Sequence, residues 1–110
     1  MSGYKILTEA EFADLQAGRF AGAPIDIADG YIHLSTADQV AETLERHFAG
    51  AKNLVIAAVD IDALGTRIRW EMSRGGALFP HLYGPLTMDN ITAFGPVTYN
   101  KDGSLRLPGA

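Results

Sequence analysis

The segment Leu54-Val55-Ile56-Ala57-Ala58-Val59 is the tightest constraint in this chain. Six successive apolar residues, closed by Asp60, are too few for a helix of ordinary length and leave no polar face. They are consistent with a strand buried on both sides. At 110 residues the chain is near the common size for one domain, 1–110, and can bury about two-thirds of its unfolded surface. It contains no cysteine, which excludes disulfide scaffolds, thiol catalysis and thiolate-bound zinc. No internal repeat, low-complexity stretch or linker divides it.

Around that run, shorter signals alternate. Tyr4 to Leu7 reads as an opening strand. Thr8 and Glu11 form a capping box for a first helix, with Phe12 and Leu15 on one face and Gly18 as its stop. Residues 19–30 read as loop, broken by Gly22, Pro24, Asp29 and Gly30. From Tyr31 to Ser35 the period is two: Ile32 and Leu34 point one way, Tyr31, His33 and Ser35 the other. Thr36 caps a second helix with Gln39 at its third position, and Val40, Leu44 and Phe48 follow at helical spacing.

Residues 67–72 alternate again. Ile68, Trp70 and Met72 share one face, where Trp70 is expected in the core; Arg67, Arg69 and Glu71 share the other. Leu78 to Gly84 is short and aromatic, Ile91 to Phe94 and Val97 to Tyr99 are further strand candidates, and Asn100-Lys101-Asp102-Gly103 reads as a hairpin turn. Two early helices followed by most of the strands favour an α+β domain with a split, largely antiparallel sheet.

The net charge of −4 offers no general attraction to nucleic acid or anionic lipid. No apolar run nears the roughly 20 residues that span a bilayer, and MSGYKILTEAEF lacks the pattern of a secretory signal, so a cytoplasmic protein is expected. No nucleophile elbow, P-loop or Gly-rich dinucleotide fingerprint is present. Nothing in the sequence decides the oligomeric state.

His33 leads the chemical candidates. An imidazole and the Ser35 hydroxyl, two residues apart on one strand, project to the same side and suit a sugar, amide or phosphate oxygen. The alternative is a half-buried strand histidine bonded to a neighbouring carbonyl. Ser35 and Thr36 stand before a helix, either as an anion cradle or simply as caps. Glu71 lies on the arginine face, as a site carboxylate or as counter-charge to Arg67 and Arg69. In Phe79-Pro80-His81-Leu82-Tyr83-Gly84-Pro85, an extended chain puts Phe79, His81 and Tyr83 on one side, suited to stacking on a ring or to packing on the core. His33, Glu71 and His81 are also a common metal-ligand set, although no close helical spacing supports it, and no metal is expected. His47, beside Phe48, reads as a boundary residue without a role.

The motifs Asp29-Gly30-Tyr31-Ile32-His33-Leu34-Ser35-Thr36, Arg69-Trp70-Glu71 and Phe79-Pro80-His81-Leu82-Tyr83-Gly84-Pro85-Leu86 resemble the bacterial family known as domain of unknown function 952 over about residues 4–100. That family is grouped with ADP-ribosyltransferase-like folds, which hold NAD in the cleft of a split sheet. The resemblance implies that His33 with Ser35 or Thr36 holds the nicotinamide ribose, Tyr83 or Phe79 stacks on the nicotinamide, and Glu71 engages a ribose hydroxyl. In that group the glutamate commonly sits on a late strand, whereas Glu71 is on a middle one and Ile91 to Tyr99 carries no carboxylate. Arg69 and Arg74 are candidates for a phosphate by residue type. Three functions stay open: an enzyme cleaving or transferring at the ribose of NAD or an ADP-ribosyl compound, a nucleotide or ADP-ribose binding module without chemistry, and a metal-dependent hydrolase.

Overall fold

The apolar run forms strand β3 (Val55–Asp60), flanked antiparallel by β1 (Ser2–Leu7) and β6 (Ile91–Pro96) in a computed structural model that describes residues 1–109. Ile56 to Val59 are buried on both faces, as the absence of a polar position demands. Tyr4, Ile6, Ile56 and Ala58 pack beneath helix α3 (Val40–His47) through Val40 and Leu44. Leu7, Ala57 and Val59 face the opposite layer.

That layer is a second antiparallel sheet of β2 (Ile32–His33), β5 (Leu78–Leu82) and β4 (Ile68–Met72), in the order β2-β5-β4. Leu82 is the centre of its inner face, directly opposite both Ile32 and Ile68. Among the described residues a single bridge joins the two sheets. Tyr4 and Ser35 exchange main-chain bonds, Tyr4 N to Ser35 O at 2.7 Å and Ser35 N to Tyr4 O at 2.9 Å. One residue earlier, Leu34 N still donates to Pro80 O at 3.1 Å. The strand therefore leaves one sheet and joins the other within two residues, and a cleft opens where they part.

Helix α1 (Glu9–Gln16) carries the expected capping box: Glu11 N donates to Thr8 Oγ1 at 3.1 Å, and Thr8 N to Glu11 Oε1 at 2.9 Å. Phe12 and Leu15 are its buried face. Within 19–30, where the sequence reads as loop, the structure places helix α2 (Pro24–Asp29). Its local logic is plain in the fold: Pro24 takes the first helical position, where no N–H is needed, and Gly30, at φ 85°, closes it in the left-handed region. A one-turn helix α4 (Ile61–Leu64) is capped by Asp60, whose Oδ1 accepts from Ala63 N at 3.2 Å.

Three further expectations change. The second helix starts at Val40, not directly after Thr36; Gln39 Oε1 instead accepts from Thr36 N at 3.1 Å across an intervening turn. Trp70 is not core but 41% exposed, since of its face of β4 only Ile68 reaches the interior. Ile91 to Pro96 is one strand, and 97–99 is not a further one: Val97 N donates to Leu54 O at 3.1 Å, and Tyr99 forms a bridge with Leu105. The turn at 100–103 does form, with Gly103 N donating to Asn100 O at 3.0 Å.

Candidate functional site

Alternation along three strands puts one row of polar side chains on the outer face of the second sheet. His33, His81 and Arg69 stand side by side in register across β2, β5 and β4. The imidazole centroids of His33 and His81 lie 5.4 Å apart. Tyr31 stacks on His81 at 4.1 Å with an interplanar angle of 20°, and its ring also meets His33 at 4.7 Å. Two imidazoles and a phenol thus share one surface.

Each imidazole is oriented by a carboxylate. Asp26 is only 2% exposed, yet it is fully satisfied. Its Oδ1 accepts from His33 Nδ1 at 2.7 Å, His33 N at 3.0 Å and Lys5 Nζ at 3.1 Å; its Oδ2 accepts from Ala23 N at 2.8 Å and pairs with Lys5 Nζ at 2.9 Å. Lys5 also donates to His33 O at 3.0 Å. Burial alone would push the Asp26 carboxyl up, but the His33 bonds and the Lys5 charge outweigh it and hold the pKa at about 2. On the other side of the ring, His33 Nε2 faces Asp29 Oδ2 at 3.0 Å.

His81 is 3% exposed, and its Nδ1 lies 2.8 Å from Glu71 Oε1. Tyr83 OH donates to the same Glu71 oxygen at 2.8 Å, and the Arg69 guanidinium covers the Tyr83 ring at 4.6 Å. The bond from His81, then that from Tyr83, hold the Glu71 carboxyl below its ordinary 4.5. The same bond to Glu71, with desolvation second, holds the Tyr83 phenol above 10.0. A Glu71→Gln variant should therefore bring the Tyr83 phenolate on earlier in an ultraviolet pH titration, while Tyr31, raised first by desolvation and then by Asp29, still titrates late. An unchanged curve would contradict the Tyr83–Glu71 bond.

The cleft at the split has a volume of about 680 Å³. Tyr31, His33, Ser35, Phe79 and His81 form one wall, while α2 and the His47 end of α3 form the others. Of the residues singled out by sequence, His33, Ser35, Phe79 and His81 come together here. Ser35 is buried, and its Oγ lies 3.1 Å from Thr43 Oγ1. Thr36, Arg69, Glu71 and Tyr83 are outside the lining: Thr36 serves the turn before α3, and the other three stand behind His81. His47 lines the cleft, although its sequence context suggests no role. Arg67 Nε donates to Leu64 O at 3.4 Å, and the Arg74 side chain lies outside the described residues. Sequence reasoning misses Lys5 and Asp26 altogether, and it names Tyr31 only for its face. Among the described residues no three His, Asp or Glu groups are arranged to hold a metal ion, and no helix is long and apolar enough to cross a membrane.

Comparison with known proteins adds a family and a fold. The chain is similar to protein CC0527 from Caulobacter crescentus. A crystal structure of that protein superposes with a TM-score of 0.86 at 45% identity, covering 97% of this chain and 95% of the other. Its solution NMR structure gives 0.78 at 47% identity, covering 93% and 89%. A double mutant of the same protein matches at 0.86 and 44% identity, covering 97% and 95%. No curated protein matches significantly. The family model described as "Protein of unknown function (DUF952)" matches residues 6–94, which includes His33, Glu71, His81 and Tyr83, and the chain belongs to that family.

Proposed function

We propose that the cleft binds NAD or a related ADP-ribosyl compound, with the ribose at His33 and a planar ring against Phe79 and Tyr31. The observation that carries this reading is the pair of carboxylate-held imidazoles, 5.4 Å apart, opening onto a cavity of about 680 Å³. That volume lies within the range of small-molecule sites, and a largely aromatic wall with a few oriented polar groups is their usual composition. The split between the two sheets is the feature that an ADP-ribosyltransferase-like arrangement requires. In such a site, cleavage or transfer at the ribose would proceed by orienting the substrate and stabilising an oxocarbenium-like centre, with no covalent nucleophile. Asp29, a carboxylate on the cleft wall beside His33, would face such a charge.

A second reading, binding without chemistry, is favoured by Glu71. Its Oε1 is committed to His81 and Tyr83, and the residue stands outside the cleft lining. Thermal denaturation with NAD, ADP-ribose, nicotinamide and divalent metals is the test of both. NAD at about 100 times its dissociation constant should add about 2.7 kcal/mol, raising Tm by roughly 10 °C. His33→Ala should abolish the rise. Nicotinamide release by the unmodified protein supports the enzyme; stabilisation without release supports the module. Melting unmoved by every nucleotide but raised by zinc would replace both with a metal-dependent hydrolase.

A further inference from the structure

Strand β4 is an edge. Its strand partner among the described residues is β5 alone, and its outer half is laid open on both faces. The main chain shows which groups are left over. Tyr83 N donates to Arg67 O at 2.8 Å and Ser73 N to Ala77 O at 2.9 Å, so the odd-numbered residues of this stretch bond to β5. By the alternation of an antiparallel ladder, the N–H and C=O groups of Trp70 and Met72 and the C=O of Ile68 point away from the sheet, while Ile68 N donates to Gly65 O in the turn before the strand.

Two of the usual guards of an edge are missing from this strand. The pairing of β4 runs in unbroken register without a bulge, and the strand holds no proline. Its exposed apolar side chains are also grouped. Trp70 is 41% exposed, Met72 70%, and Leu78, directly opposite Met72, is 51% exposed. Arg69 and Glu71, on the other face, are of opposite sign and flank Trp70 symmetrically.

We propose that β4 pairs antiparallel with β4 of a second copy of this chain, about a two-fold axis at Trp70. Outward-pointing groups at Trp70 make the central pair a hydrogen-bonded one, each Trp70 exchanging both bonds with its counterpart. Ile68 of each copy then falls opposite Met72 of the other, its C=O accepting from Met72 N, since Ile68 N is already held by Gly65 O. The intervening pair is Arg69 against Glu71 of the second copy. It is of the non-hydrogen-bonded type, with Cα atoms about 4.5 Å apart and side chains closest. Both ion pairs form together, because a two-fold interface is self-complementary. Any other in-register pairing of two β4 strands brings like charges together or leaves one charge unmatched. On the opposite face, the Trp70, Met72 and Leu78 side chains of the two copies merge into one patch that each shields for the other. The result is one continuous six-stranded sheet, β2-β5-β4 joined to its own symmetry mate.

Trp70 is the single tryptophan of the chain, so its emission reports directly on the axis. Sedimentation velocity and tryptophan emission on the full chain, from about 1 to about 200 μM, should show a mass that doubles together with a blue shift. Arg69→Glu, which sets like charges face to face twice, should weaken the dimer about tenfold. Trp70→Lys should abolish it, and Arg69→Glu combined with Glu71→Arg should restore it. All these positions are at least partly exposed, and retained far-UV circular dichroism checks the fold of each variant. A protein that is monomeric throughout this range, or a dimer as strong in Arg69→Glu and Trp70→Lys as in the parent, overturns the proposal.

Discussion

Replacing Asp26 by alanine should cost about 3–5 kcal/mol, read as a drop in urea midpoint at constant slope. The reason is what remains behind. Lys5 is 6% exposed and its ammonium would stay in the interior with His33 O as its remaining acceptor, while Ala23 N and His33 N lose theirs. A charge stranded in that way costs far more than the pair itself contributes. Lys5→Met together with Asp26→Leu should recover only the part due to the stranded ammonium, since Ala23 N and His33 N still lack their acceptor. The same group sets an acid limit. Asp26 has its folded pKa lowered from 3.8 to about 2, so its contribution is complete above about pH 4 and is lost as the pH falls through about 2. The shift corresponds to about 2 kcal/mol. In Asp26→Ala the stability between pH 4 and 2 should fall less steeply than in the parent; an equal fall in both would refute the assignment.

Leu82→Ala should cost about 2–5 kcal/mol, as expected when a fully buried leucine leaves a void that its neighbours cannot close. Leu82 is 0% exposed and lies between Ile32 and Ile68 in the middle of the inner face. Its chain neighbour His81 stands on the outer face of the same strand, so the two faces share one backbone. The void should therefore loosen the His81 ring as well as the core. Nuclear magnetic resonance of the His81 side chain in this variant should show broader lines than in Ile68→Val, a conservative control that removes a single methyl at the rim of the same face. Equal line widths in the two variants would separate the site from the core beneath it.

How much of this is legible beforehand depends on how far apart the partners are. The apolar run at 54–59 announces its burial because a missing polar face is a local fact. Thr8 and Glu11 announce the first helix because both halves of the box lie within one turn. Strand alternation at 31–35 and 67–72 sorts His33 and Glu71 onto the correct face, since side-chain direction has period two. It does not say that Glu71 reaches His81 and Tyr83 ten and twelve residues on, behind the cleft wall. Nor does it say how far the core extends along a face, which is why Ile68 is core and Trp70, on the same face, is not. Helix α2 escapes because six residues with Ile25 and Ile27 both exposed show no apolar stripe. With the helix goes Asp26, whose partners are twenty-one residues upstream and seven downstream. Only the fold makes those neighbours.

The single seam between the sheets has a consequence for how the protein is made. Strand β1 bonds to β3 on one side and to Ser35 on the other, and Ser2 must find Asp60 as its partner. A ribosome delivers that first strand long before β3, and β3 lacks its own second flank until Pro96 has been synthesised. Pairings so distant along the chain pay their loop-closure entropy before any reward, and they nucleate slowly. Tyr4, Ile6 and Leu7 therefore have no β3 to cover them until Asp60 has left the exit tunnel. Chaperones that shield short apolar strands have their opportunity in that interval.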